Sequence, residues 1–156
     1  MKNIALLSAL IILGITACIQ PPDYNIEPEI EFVNVSKSQV MQAIDTFRIN
    51  FSYTDGDGDI GLDLDDPNNN VIIIDSRTGF EESFKVPVVP QQGASNGISG
   101  EISLLVFASC CLNSNPICLP TQDANPEEIT YTIQMFDQAG NASNIIETTP
   151  IFLICD

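Results

Sequence analysis

An all-β fold, a seven-stranded antiparallel β-sandwich, is what the chain predicts, on three observations. Thr46 to Tyr53 alternates strictly, with Phe47, Ile49, Phe51 and Tyr53 on one face and Arg48, Asn50 and Ser52 on the other, the period-two pattern of a half-buried strand. Ile129 to Met135 repeats it, with Ile129, Tyr131, Ile133 and Met135 on the inward face. Five further apolar stretches, at 30–35, 71–75, 83–89, 98–107 and 145–154, are separated by Gly, Pro, Asn and Asp clusters, and a helical period is lacking after the first residues. Short strands with turn signals between them are what a sandwich requires.

The first residues are of another kind. Met1 to Ala17 joins a basic start, Lys2, to an apolar run too short for a comfortable membrane span, the form of a secretory signal peptide. Ile15-Thr16-Ala17-Cys18 resembles a bacterial lipobox, the tetrapeptide after which the signal is cut. That resemblance implies lipid on Cys18, and several acyl chains at ~0.8 kcal/mol per buried CH₂ would hold the chain to a membrane stably. The expected organisation is a signal at 1–17, the lipidated Cys18 with an extended Pro-rich linker to residue 28, and one domain at 29–156. Removing 17 of the 156 residues leaves 139, enough for one sizeable core. Removing Lys2 from the 5 basic residues leaves 4 against 21 acidic ones, a net charge of −17. Such a surface excludes nucleic acid as a partner and favours cation binding or plain solvation.

The acid is concentrated. Thr54 to Asp66 reads T-D-G-D-G-D-I-G-L-D-L-D-D, with glycines at 56, 58 and 61. Unit charges ~4 Å apart repel by about 4 kcal/mol at an effective dielectric of 20, so the loop closes on itself only around a cation. Oxygen ligands on a flexible backbone suit Ca²⁺, which takes six to eight of them in irregular geometry, better than Mg²⁺ or softer metals. Counted against the helix-loop-helix calcium hand, Asp55, Asp57, Asp59, Gly61 (through its carbonyl), Asp63 and Asp66 fall on the ligand positions. Ile60 stands where that loop needs glycine, Asp66 replaces its long bidentate Glu, and the flanks are not helical, so only the D-x-D-x-D core is retained. The alternative is a solvated acidic hairpin tip without metal.

With no histidine, Ser-His-Asp and Cys-His nucleophile systems and His-ligated zinc are excluded. Paired carboxylates could serve a glycosidase, but a wet Gly-rich loop does not raise one pKa selectively, and the chain has no Trp for sugar stacking. The expected protein is not an enzyme.

Tyr131 to Ser143, Y-T-I-Q-M-F-D-Q-A-G-N-A-S, resembles the last hairpin of bacterial immunoglobulin-like and cadherin-like modules, whose penultimate strand often ends in D-x-A-G-N. Together with F-S-Y-T-D-G-D-G-D-I-G at 51–61 behind a lipobox, the chain resembles the small outer-membrane lipoproteins of the Bacteroidota. The resemblance implies an immunoglobulin-like sandwich in which the acidic loop and the 137–141 loop lie at one end. Asp137 then becomes a candidate ligand from outside the loop, or else a turn-capping aspartate, and Glu29 a second candidate. The opposite end would hold Cys110, Cys111, Cys118 and Cys155. Four cysteines in an exported chain imply two disulfides with three possible connectivities. Vicinal pairing is strained, so Cys155 is expected to join one of Cys110 and Cys111, and Cys118 the other. A thiolate metal site or redox pair is the rival, disfavoured by the absence of C-x-x-C and of histidine. The implied protein is a calcium-binding, lipid-anchored accessory subunit at the cell outer membrane, partnered by a β-barrel or another envelope protein. The alternative is a calcium-dependent glycan- or peptide-binding module of a nutrient-uptake system.

Overall fold

The computed structural model describes residues 23–41, 44–77, 79–90, 97–107 and 126–154. Residues 1–17, expected to be a signal peptide, Cys18 and the four disulfide candidates Cys110, Cys111, Cys118 and Cys155 lie outside the described residues. Among the described residues the fold is all-β, with ten strands in three sheets and no helix.

The first layer is built on two long strands, β3 (Thr46–Asp55) and β6 (Ile98–Phe107), paired antiparallel from Thr46 opposite Phe107 to Asp55 opposite Ile98. The alternation read from the sequence decides their inward face. Phe47, Ile49 and Phe51 are buried and stand opposite Val106, Leu104 and Ile102. Tyr53 stands opposite Gly100, where an added Cβ would lie 2.8 Å from the phenol oxygen, so glycine leaves room for the ring. β1 (Glu29–Val35) pairs with the other edge of β3, with a register shift between Phe32 and Asn34.

The second layer is two sheets. One has the order β5-β4-β8-β9, from β5 (Glu81–Phe84), β4 (Val71–Asp75), β8 (Tyr131–Met135) and β9 (Ile146–Glu147). The other has the order β2-β10-β7, from β2 (Gln39–Met41), β10 (Ile151–Ile154) and β7 (Glu127–Ile129). The rings of Phe47 and Tyr131 meet with centroids 5.9 Å apart, within one core that runs between the layers. Each fully buried Phe, Ile or Leu in it contributes about 1.5–3 kcal/mol.

Ten strands replace the seven expected for three reasons. The stretch 129–136 and the stretch 145–154 each divide: β7 and β10 pair in one sheet, β8 and β9 in the other. Pro150, which has no N–H, lies between β9 and β10 and cannot continue a ladder. β2 is an addition, three residues paired parallel with β10, a non-local contact that leaves no periodic trace. The expected strand 83–89 is corrected too: β5 ends at Phe84, and the Pro-containing segment beyond it turns instead to 60–62. Leu62 N–H donates to Val86 O (2.9 Å) and Val89 N–H to Ile60 O (3.2 Å).

Side chains complete the ladder where the backbone leaves it. Thr148 Oγ1 accepts from Tyr131 N–H (3.0 Å) and Ser143 Oγ from Met135 N–H (3.0 Å). Asn144 copies a strand neighbour outright. Its Oδ1 accepts from Ile30 N–H (2.8 Å) and its Nδ2 donates to Ile30 O (2.9 Å), stitching β1 to the region before β9. Farther along, Arg77 joins Asp75 at the end of β4 (2.7 Å) to Glu127 in β7 (2.6 Å), tying the two sheets of the second layer.

Candidate metal centre

Asp55 owes its position to strand periodicity. It is the next inward residue after Phe47, Ile49, Phe51 and Tyr53, so the pleat that buries four hydrophobic side chains buries a carboxyl as well, at 0 % exposure. Its Oδ2 accepts from Asp59 N–H (2.9 Å), while its Oδ1 is buried with no hydrogen-bond partner. Such a group is costly to leave uncompensated. Burial pushes the Asp55 carboxyl up to about 6, the charges of Asp57 and Asp59 add to the rise, and N–H donors of Asp59 and Gly58 oppose it.

The turn after β3 brings two more carboxyls back onto the first. Gly58 takes a left-handed φ of 74°, which an L side chain rarely adopts. Gly56 is needed for a different reason, because a Cβ there would collide with the carbonyl oxygens of Tyr24 and Asn25. Asp55, Asp57 and Asp59 thereby place carboxylate oxygens within 4.8 Å of one another. Asp57 and Asp59 are half-buried, so the group opens to solvent on one side. Asp59 Oδ2 accepts from Ala139 N–H (3.1 Å) and Asp59 O from Gln138 N–H (3.2 Å), and its Oδ1 is buried without a partner. Burial raises the Asp59 pKa, and the charges of Asp137 and Asp57 raise it further.

The expected neighbourhood of the acidic loop and the 137–141 turn is therefore present. Within it Asp137 acts as a turn cap: buried, it accepts from Asn141 N–H at Oδ1 and from Asn141 Nδ2 at Oδ2, both at 2.7 Å. The remaining candidates have surroundings of their own. Ile60, at 0 % exposure, dives into the core and splits the acidic stretch in two. Gly61 follows with φ 96° beneath the Pro87 carbonyl, which leaves no space for a Cβ. Asp63 is exposed, and Asp66 binds Asn68 through Oδ1 (2.8 Å to N, 2.9 Å to Nδ2) while its carbonyl accepts from Lys85. Neither they nor Asp137 belong to the three-carboxylate group. Glu29 opens β1 opposite Thr54, one residue from Asp55, and lines a polar cavity of about 230 Å³ with Asn25, Glu27 and Asn144.

No protein-family model matches the chain, and no curated protein matches it. A divalent cation would find oxygen-only donors, three negative charges, and two buried lone-pair-bearing oxygens in one group with no proton donor to occupy them. Two contributors carry no sequence signal of their own. The N–H groups of Gln138 and Ala139 are backbone, and the segment 23–28, D-Y-N-I-E-P, has no apolar period; the D-G-D spacing at 55–57 is the one hint that something must approach Gly56 closely.

Proposed function

We propose that this protein is a calcium-binding, lipid-anchored outer-membrane lipoprotein that acts as a non-catalytic interaction or accessory subunit of an envelope complex. The observation that carries the calcium reading is the buried Asp55, whose Oδ1 has no partner inside a group of three converging carboxylates. Ca²⁺ supplies that partner and takes waters for the coordination positions the protein leaves open. Its domain is an immunoglobulin-like sandwich: β1, β3 and β6 correspond to strands A, B and E of one sheet, and β4, β7/β8 and β9/β10 to strands C, F and G of the other. The signal sequence and lipobox-like Cys18 support export and anchoring.

A non-catalytic role is supported by the chemistry of a groove beside β6. A space of about 350 Å³ between the 85–90 segment and β6 has Lys85 and Glu101 as its charged lining residues, and Lys85 is bound to the carbonyls of Leu64 and Asp66. The second reading, a calcium-dependent glycan or peptide module, draws on the open side of the carboxylate group, where ligand hydroxyls could replace waters.

Thermal unfolding tests the calcium step. Millimolar Ca²⁺ should raise the Tm and EDTA should reverse the rise, since ligand at 100 times Kd adds about 2.7 kcal/mol to stability. Asp57→Asn with Asp59→Asn should abolish the response; an unresponsive wild type ends the proposal. Co-purification of an integral β-barrel after gentle detergent extraction supports the accessory role, whereas Ca²⁺-dependent glycan-array binding supports the second reading.

A further inference from the structure

Three chain segments meet at residues 55–59, and one of them is the lead-in to the domain. Gly56 N–H donates to Asn25 O (2.7 Å), and the carbonyls of Tyr24 and Asn25 fill the space a side chain at 56 would need. The ring of Tyr24 lies over Gly97, where an added Cβ would be 3.1 Å from Cδ2. Pro28 is buried, and the next residue, Glu29, pairs with Thr54. The lead-in is thus held through the peptide between two members of the carboxylate group, Asp55 and Asp57. On the other side the 138–139 turn is held through Asp59.

We infer that the carboxylate group is a metal-controlled fastening for the segment 23–28, so that occupancy by a divalent cation sets the direction in which the chain enters the domain. The inference rests on the calcium reading above and adds its consequence. Without a cation, three like charges within 4.8 Å, one of them fully buried with an unpartnered oxygen, drive the loop to splay. Displacement at 55–57 moves Gly56, and the bond to Asn25 opens with it. With the cation bound, that opening requires the ion to leave, so the open population falls by the same factor as ligand linkage supplies. The lead-in is then a stiff extension of β1 when loaded and a hinged one when stripped.

Limited proteolysis of the full chain with chymotrypsin, in Ca²⁺ or in EDTA, reads this directly. Cleavage after Tyr24 reports opening of the lead-in, and cleavage after the exposed Phe80, in the turn following β4, serves as the reference. When opening is fast relative to cutting, the rate follows the open population. Ca²⁺ at about 100 times Kd should slow the Tyr24 cut about 100-fold relative to the Phe80 cut, and amide exchange at Gly56 should slow in parallel. If Ca²⁺ raises the Tm but the Tyr24 cut is unchanged, or both cuts slow equally, the fastening is overturned while the ion site stands. If Ca²⁺ leaves the Tm unchanged, the ion site and the fastening fall together.

Discussion

Asp55 occupies an inward position of a hydrophobic strand, where leucine or valine would add to the core and where a carboxyl instead stays unsatisfied at one oxygen. The sign of its pH effect follows. Its folded pKa, raised from 3.8 to about 6, means that the folded state holds a proton the unfolded state releases. In the metal-free protein the favourable contribution is complete below about pH 4 and is lost as pH rises through about 6. A rise of this size corresponds to about 3 kcal/mol, an upper figure for this group alone. Asp55→Asn should therefore stabilise the metal-free domain near pH 7.5, flatten its stability profile between pH 4 and 6, and remove the Ca²⁺ response, all measurable by urea titration with EDTA or Ca²⁺. A metal-free Asp55→Asn less stable than wild type at pH 7.5 would show that the carboxylate is structural rather than held for an ion.

At the scale of the element, the last hairpin carries the most information. Its side-chain alternation runs unbroken from Ile129 to Met135, although the backbone exchanges one partner strand for another at Thr130. Hydroxyls bridge the exchange, and each can be tested alone. Thr148→Val keeps the shape but leaves the buried Tyr131 N–H without its acceptor, which should destabilise the domain by about 1–3 kcal/mol in urea unfolding. Breaking the Arg77 bridge should cost more. Asp75 is 1 % exposed, so Arg77→Ala strands a buried carboxylate and should lower stability by about 3 kcal/mol or more. Replacing Asp75 by Asn in the same chain should recover part of that loss, because the charge left alone is gone. These elements were legible as apolar stretches, while their division was not, since periodicity records which face is buried and carries no trace of which strand lies alongside.

For the whole molecule, one end gathers the carboxylate group, the 137–141 turn and the lead-in segment, and a cation there acts on all three. Binding to a folded domain without further compaction should raise the urea midpoint in Ca²⁺ while leaving the m-value unchanged. A changed m-value would mean that a substantial part of the metal-free chain is already unfolded.

By itself the sequence determined the all-β class, the inward faces of β3 and of 129–135, and the acid-glycine spacing that puts several carboxyls near one another, because side-chain alternation and backbone turning are properties of a few adjacent residues. Which acids meet was left to packing between distant segments. Asp63 and Asp66 belong to the same acidic stretch as Asp55, Asp57 and Asp59, yet they lie beyond the buried Ile60 and outside the three-carboxylate group, and Asn141 engages Asp137. The fate of each carboxyl depends on a hydrophobic anchor and on hydrogen-bond donors brought from elsewhere in the chain, and those are settled by packing.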